Sequence, residues 1–129
     1  MVLMAFSSLS FSFETMDNPP DSTQSTKKGM IYDYPEIMPQ FPGGPDAMDL
    51  FIKQNLKKPA DAKDLSGKVY VQFVVEKDGS ISDVSIRMGK YEKLNKEAIR
   101  LVKMMPDWRP GVNKGKKVRV RYILPITFH

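Results

Sequence analysis

The sequence has 129 residues, a formal net charge of +5 and 41% hydrophobic residues, enough for the core of one domain and too little for a membrane-embedded bundle. With no cysteine there is no disulfide scaffold or thiolate metal site. With a single histidine, His129, there is no material for a Ser-His-Asp arrangement or a multi-histidine centre. The basic balance suits nucleic acid, anionic lipid or an acidic protein, and by itself does not choose among them.

Residues 1–13 are apolar and serine-rich, with Glu14 as the first charge. They read as the h-region of an export signal whose basic start lies upstream, or as an apolar tail; the run is too short to span a bilayer. Residues 14–38 read as a linker. The stretch from Asn18 to Gly29 has no periodicity and no large apolar residue with which to offset its ordering entropy. Ile31, Tyr32, Tyr34 and Ile37, broken by Pro35 and Pro39, are expected to lie extended against a domain that starts at about residue 39 and runs to 129.

The turn cluster Gln40-Phe41-Pro42-Gly43-Gly44-Pro45 precedes a helix from about Pro45 to Asn55–Lys58, with Asp46 at its positive end. Ala47, Leu50 and Phe51, with Met48, Ile52 and Leu56, recur at helical spacing, and Pro59 starts a further short turn through Ala62 to Leu65. From Gly67 the period changes to two. Val69, Val71, Phe73 and Val75 alternate with Tyr70, Gln72, Val74 and Glu76, which predicts a strand with one buried face. Asp78-Gly79 supplies a hairpin turn, and Val84, Ile86 and Met88 form the return strand. Ile81 is out of phase with that set, so a bulge or a late strand start is expected near Ser82.

A second helix is predicted with Asn95 as N-cap and Leu94 and Ile99 as a hydrophobic staple. Ala98, Leu101, Val102 and Met105 form its apolar stripe, Lys96, Glu97, Arg100 and Lys103 face out, and Pro106 stops it. Trp108 reads as a core plug in a tight loop. The last strand places Val118, Val120, Tyr122, Leu124, Ile126 and Phe128 on one face, and Pro125 marks it as an edge strand or a bulged one. The order helix, strand, strand, helix, strand gives an α+β layer: a three-stranded antiparallel sheet with two helices on one face. The other face would carry Tyr70, Gln72, Val74, Arg119 and Arg121, open to solvent or a partner.

Phe41-Pro42-Gly43-Gly44, Pro59, Ala62, the alternation from Gly67 to Val75 and Asp78-Gly79 follow one ordered pattern. Asp83-Val84-x-Ile86, the Leu94–Val102 helix, Trp108-x-Pro110-Gly111, Gly115-Lys116-x-Val118 and Leu124-Pro125-Ile126-x-Phe128 continue it. Over roughly residues 39–129 the chain resembles the C-terminal domain of TonB, the energy transducer of Gram-negative bacteria, in its Bacteroidetes type. One departure is Lys58, where the family usually has an aromatic residue before the proline. The resemblance implies a periplasmic, non-catalytic module without cofactor or metal. It would add the TonB box, an extended segment of an outer-membrane transporter, to its sheet edge. The edge implied is the last strand, with Val118, Arg119, Val120, Arg121, Tyr122, Ile123, Leu124 and Ile126 as partner-binding residues. Inner-membrane proton-channel proteins are further partners if a membrane anchor exists upstream, and a homodimer stays open. A linker of ~25 residues reaches at most ~90 Å, so a stand-alone module or a fragment of a longer product is expected.

The basic run Arg109, Lys114, Lys116, Lys117, Arg119 and Arg121 keeps a nucleic-acid-binding α+β domain as an alternative, although no nucleic-acid motif is present. An envelope adaptor without energy transduction is another. Glu92, Glu97 and Asp107 show no fixed acid–base spacing, and Gly43-Gly44 lacks the Lys-Ser/Thr of a phosphate loop, so an enzyme is not expected.

Overall fold

Alternation from Gly67 onward produces the two strands that everything else packs on. The computed structural model describes residues 29–129. The apolar stretch 1–13 and the linker as far as residue 28 lie outside the described residues. In chain order the elements are β1 (Ile31–Tyr32), α1 (Pro45–Asn55), a 3-10 turn (Ala60–Ala62), β2 (Gly67–Val75) and β3 (Ile81–Met88). They continue with α2 (Glu92–Lys103), β4 (Gly111–Asn113) and β5 (Lys116–Phe128). Residues Ile31–His129 form one packed unit.

The sheet has five strands where the sequence predicts three. Its order is β1-β5-β2-β3, with β4 paired to β5 as well. The central pairing is as expected: β2 and β5 run antiparallel in unbroken register from Gly67 opposite Phe128 to Val75 opposite Val120. The two additional strands are short. β1 has two residues and no period to read, and β4 has three. β4 reaches β5 through Lys114 and Gly115, at φ 52° and 76°. Positive φ at both central residues is the hairpin-turn geometry that follows the twist of the strands.

The β2–β3 hairpin turns where Asp78-Gly79 predicts. Gly79 N–H donates to the Glu76 carbonyl at 2.9 Å, and the Asp78 carboxylate accepts from Ser80 N–H at 3.0 Å. The irregularity near Ser82 is present as a register shift. Gln72 lies opposite Ser85 but Val74 opposite Ser82, and Asp83 takes up the extra residue at φ 52°.

Val69, Val71, Phe73 and Val75 of β2 join Leu124, Ile126 and Phe128 of β5 in the core. Leu94, Ala98, Leu101 and Val102 of α2 cover them, and Met48, Phe51 and Ile52 of α1 pack partly buried against the same cluster. Trp108 is buried, as a core plug should be, but its neighbours are aromatic. It lies edge-on to Phe73 at 5.4 Å, Phe41 at 5.9 Å and Tyr122 at 5.0 Å between ring centres. Its backbone N–H donates to the Gly79 carbonyl at 2.7 Å. Gly79 has φ 89°, and a Cβ there would sit 2.0 Å from the Trp108 carbonyl oxygen. The hairpin tip and the tryptophan loop can therefore meet only through a glycine.

Two details of α2 correct the sequence reading. The helix begins at Glu92 and Asn95 lies inside it, with Asn95 Nδ2 donating to the Gly89 carbonyl at 3.2 Å instead of capping. Leu94 explains this: it is fully buried, and the stripe it starts needs a helical turn upstream of it. Glu97, expected to face out, is buried at 8% exposure. It accepts from Lys57 N–H at 2.6 Å and from both Nε and Nη2 of Arg100 at 2.8 and 2.7 Å, while Arg100 Nη2 also donates to the Asn55 carbonyl at 2.8 Å. The pair thus ties α2 to the C-terminal end of α1, where carbonyls would otherwise lack partners. Burial pushes the Glu97 carboxyl up, but the Arg100 and Lys57 hydrogen bonds outweigh it and hold the carboxyl below its usual range.

A depressed folded-state carboxyl contributes stability that is present above its unfolded value and lost as pH falls through the folded one. Glu97→Gln should therefore lower stability at neutral pH by ~1–3 kcal/mol, the range for hydrogen bonds to a charged group. The variant's melting temperature should also fall less than wild type between about pH 6 and about pH 3. Parallel melting curves across that range would show that the clamp does not act through its charge. Gly79→Ala should cost at least ~1–2 kcal/mol for the left-handed backbone alone, with an altered Trp108 emission; a wild-type melting curve and spectrum would contradict the glycine contact.

Candidate functional site: the outer edge of β5

β5 carries the residues singled out in the sequence, and its backbone determines what they can offer. Tyr70 lies opposite Pro125 in the middle of the unbroken β2–β5 ladder. Proline has no N–H, so such a ladder survives only if the Pro125 nitrogen faces away from β2. Backbone groups of a strand alternate between its two edges. Arg119, Arg121, Ile123 and Thr127 therefore present both N–H and C=O to the outer edge, and Pro125 presents only C=O. The side chains of these residues lie on the face away from the helices, while Tyr122, Leu124, Ile126 and Phe128 point into the core.

The predicted site residues consequently divide into several environments. Leu124 and Ile126 are core. Val118 is buried and pairs with Gly111 of β4, and Val120 is fully buried opposite Val75. Tyr122 is half-buried against Trp108, and burial pushes its phenol up. Ile123 is 42% exposed and Arg121 is half-exposed.

Arg119 is a correction to the expected open face. It is 3% exposed, with Nε 2.7 Å and Nη2 3.2 Å from the two carboxylate oxygens of Glu76. Ser82 Oγ also donates to Glu76. Glu76 follows Val75, the last residue of β2, so it lies beside the β5 residue preceding Val120. A bidentate pair there leaves no exposed guanidinium. Val74, on the same face, is buried as well. Only Arg121 retains the exposure expected of the two arginines, and it donates to Asp33 at 2.9 Å. The basic run is therefore interrupted: Arg109, Lys114, Lys116 and Lys117 are exposed, and the two arginines of β5 are neutralised locally.

On its outer edge β5 meets β1, which runs parallel to it with Ile31 opposite Arg119 and Tyr32 opposite Val120. Among the described residues, no strand pairs with the outer edge beyond that point. The sheet's other edge, β3, is broken by two register shifts and by Asp83, devices that spoil an edge for strand addition. Beside β5, a cavity of about 520 Å³ is lined by Ile37, Met38, Phe41, Met48, Trp108 and Tyr122 among others. Sequence reasoning did not assign it. Ile37 and Met38 were visible only as apolar residues between prolines, and their neighbours come from four separate parts of the chain.

Among the described residues no group of His, Cys, Asp or Glu is arranged to hold a metal ion, and no helix is long and apolar enough to cross a membrane. No curated protein matches the chain. Among solved structures, the solution structure of the C-terminal domain of TonB from Helicobacter pylori is similar. It has 21% sequence identity and a TM-score of 0.49, over 67% of this chain and 95% of that one. The model of the family described as Gram-negative bacterial TonB protein C-terminal matches residues 58–129, more than half of the sequence and all of it from just before the 3-10 turn through β5. The chain belongs to the TonB C-terminal domain family, whose members are periplasmic protein-interaction domains of TonB-dependent transport.

Proposed function

We propose that this chain is a non-catalytic periplasmic module that takes up an extended segment of an outer-membrane transporter, the TonB box, as an additional strand on the outer edge of β5. The observation that carries the reading is the run of outward backbone groups at Arg119, Arg121 and Ile123, on a strand whose other edge is saturated by β2. Strand addition draws its affinity from main-chain N–H and C=O groups and its selectivity from alternate side chains. Here Arg121 and Ile123 supply one charged and one apolar contact on the solvent face. An acidic residue on the incoming strand would meet Arg121 and be steered by the exposed lysines of the β4–β5 turn. A nucleic-acid surface is disfavoured by the same geometry, because Arg119 is buried in its pair with Glu76 and interrupts the basic run.

Peptides from the N-termini of outer-membrane transporters, titrated into the labelled protein, should shift the amides of Arg119, Arg121, Ile123 and Thr127 most. Ile123→Pro removes one outward N–H without entering the core. It should weaken peptide binding by about tenfold or more, roughly 1.4 kcal/mol, with little change in melting temperature. Shifts confined to Tyr70 and Gln72, full affinity in the proline variant, or binding to oligonucleotides and to no peptide would each overturn the assignment.

A further inference from the structure

We propose that Ile31–Asp33 is a tethered guard strand. It occupies the donor-rich half of the β5 outer edge and must detach before an extended partner can add there. The inference rests on the strand-addition reading and concerns how that edge is regulated.

Three observations carry it. The first is position. β1 lies on the outer edge as a parallel strand, Ile31 opposite Arg119 and Tyr32 opposite Val120. The next residue, Asp33, accepts a hydrogen bond from Arg121 at 2.9 Å. An incoming strand would need these same backbone groups and this same arginine.

The second is the distribution of donors. Beyond Arg121 the outer edge offers N–H groups only at Ile123 and Thr127, because Pro125 between them has none. A partner confined to that stretch would meet one donor, a gap and another donor. Continuous pairing is available only from Arg119 to Ile123, where β1 pairs with Arg119 and Val120 and Asp33 holds the Arg121 side chain. Pro125 and β1 together leave no full docking site while the guard is closed.

The third is that the guard is held weakly while its root is held firmly. The strand is two residues long, Ile31 and Tyr32 are half-buried, and the Asp33–Arg121 side chains are 51% and 39% exposed. An exposed ion pair of this kind contributes little and is screened by salt. Directly after it, Tyr34 is 93% exposed. From Pro35, which is buried, the chain is fixed. Glu36 N–H donates to Asn113 Oδ1 at 3.0 Å, Lys114 N–H donates to Glu36 at 2.8 Å, and Ile37 and Gln40 pair with Val112 and Arg109. Ile31–Asp33 can therefore lift away about Tyr34 without disturbing the core. Being tethered, it returns with an effective concentration on the order of millimolar. A weak or short competitor is excluded, and one with enough backbone pairing and an acidic side chain for Arg121 displaces it.

The test uses the full chain carrying Asp33→Cys with Arg121→Cys, positions that continue the β1–β5 register, in a sequence with no other cysteine. When oxidised, the pair ties the guard down. Affinity for the transporter peptide that shifts the wild-type protein should be at least about tenfold lower in the oxidised variant than in the same variant reduced, the reduced form serving as the reference because both forms lack the Arg121 contact. Asp33→Lys, which repels Arg121, should bind that peptide several-fold more tightly than wild type, with Trp108 emission reporting an intact core. Equal affinity in the oxidised and reduced states overturns the guard and leaves the edge reading standing. So does failure of the cross-link to form in the folded protein, or unchanged affinity in Asp33→Lys. Absence of binding in wild type and in every variant overturns the edge reading and the guard with it.

Discussion

The ladder between β2 and β5 is the constraint on which the rest of the domain depends. It pairs two strands of very different history in the chain. One is a hairpin strand with a clean alternation, the other a long strand that arrives after a helix. Its unbroken register sets which β5 side chains enter the core, which backbone groups turn outward, and where Pro125 can be tolerated. Shifting β5 by one residue would exchange the core set Leu124, Ile126 and Phe128 for Ile123, Pro125 and Thr127. No other pairing in the sheet has comparable length, and β1 and β4 attach only to the part of β5 at or beyond the end of β2.

Around that ladder the chain is joined by a few specific polar contacts. Gly79 and Trp108 meet through one backbone hydrogen bond at a distance that excludes a side chain. Glu97 gathers Lys57 and Arg100 at the end of α1. Glu36 exchanges hydrogen bonds with the β4–β5 turn. Each links segments distant in sequence, and the first two involve groups that would be costly to bury unpaired. The aromatic cluster of Phe41, Phe73, Trp108 and Tyr122 fills the space between these links.

How much of this was legible follows from where the information resides. The period-two runs of β2 and β5 and the period of the helices are local properties, so the element order, the hairpin and the irregularity near Ser82 could be read directly. Pro125 could be read as an edge signal because its missing N–H is a property of the residue itself. The fate of Arg119 could not. Whether an arginine on a strand is open or buried depends on what ends beside it, and Glu76 lies far from it in sequence. The same holds for Glu97, which looks like an outward residue until the chain after α1 brings Lys57 N–H to it. β1 is too short for any periodicity. The outer edge of β5 could therefore be proposed from the sequence, and its partial occupation could not.

The separation in sequence between β2 and β5 also dictates an order of events when the chain folds. β2 and β3 can pair at once, through the five-residue connection 76–80. The opposite edge of β2 must wait until α2, the tryptophan loop and β4 have been laid down, because its partner comes after all of them. Pairings between distant segments form more slowly than local ones. During that interval Val69, Val71, Phe73 and Val75 stand as an apolar row on a hairpin with an unpaired edge, the kind of surface that recruits the same hairpin from another molecule. The vulnerable period for this protein is thus the one before β5 docks, and the strand proposed to receive partners in the finished domain is the one whose arrival ends it.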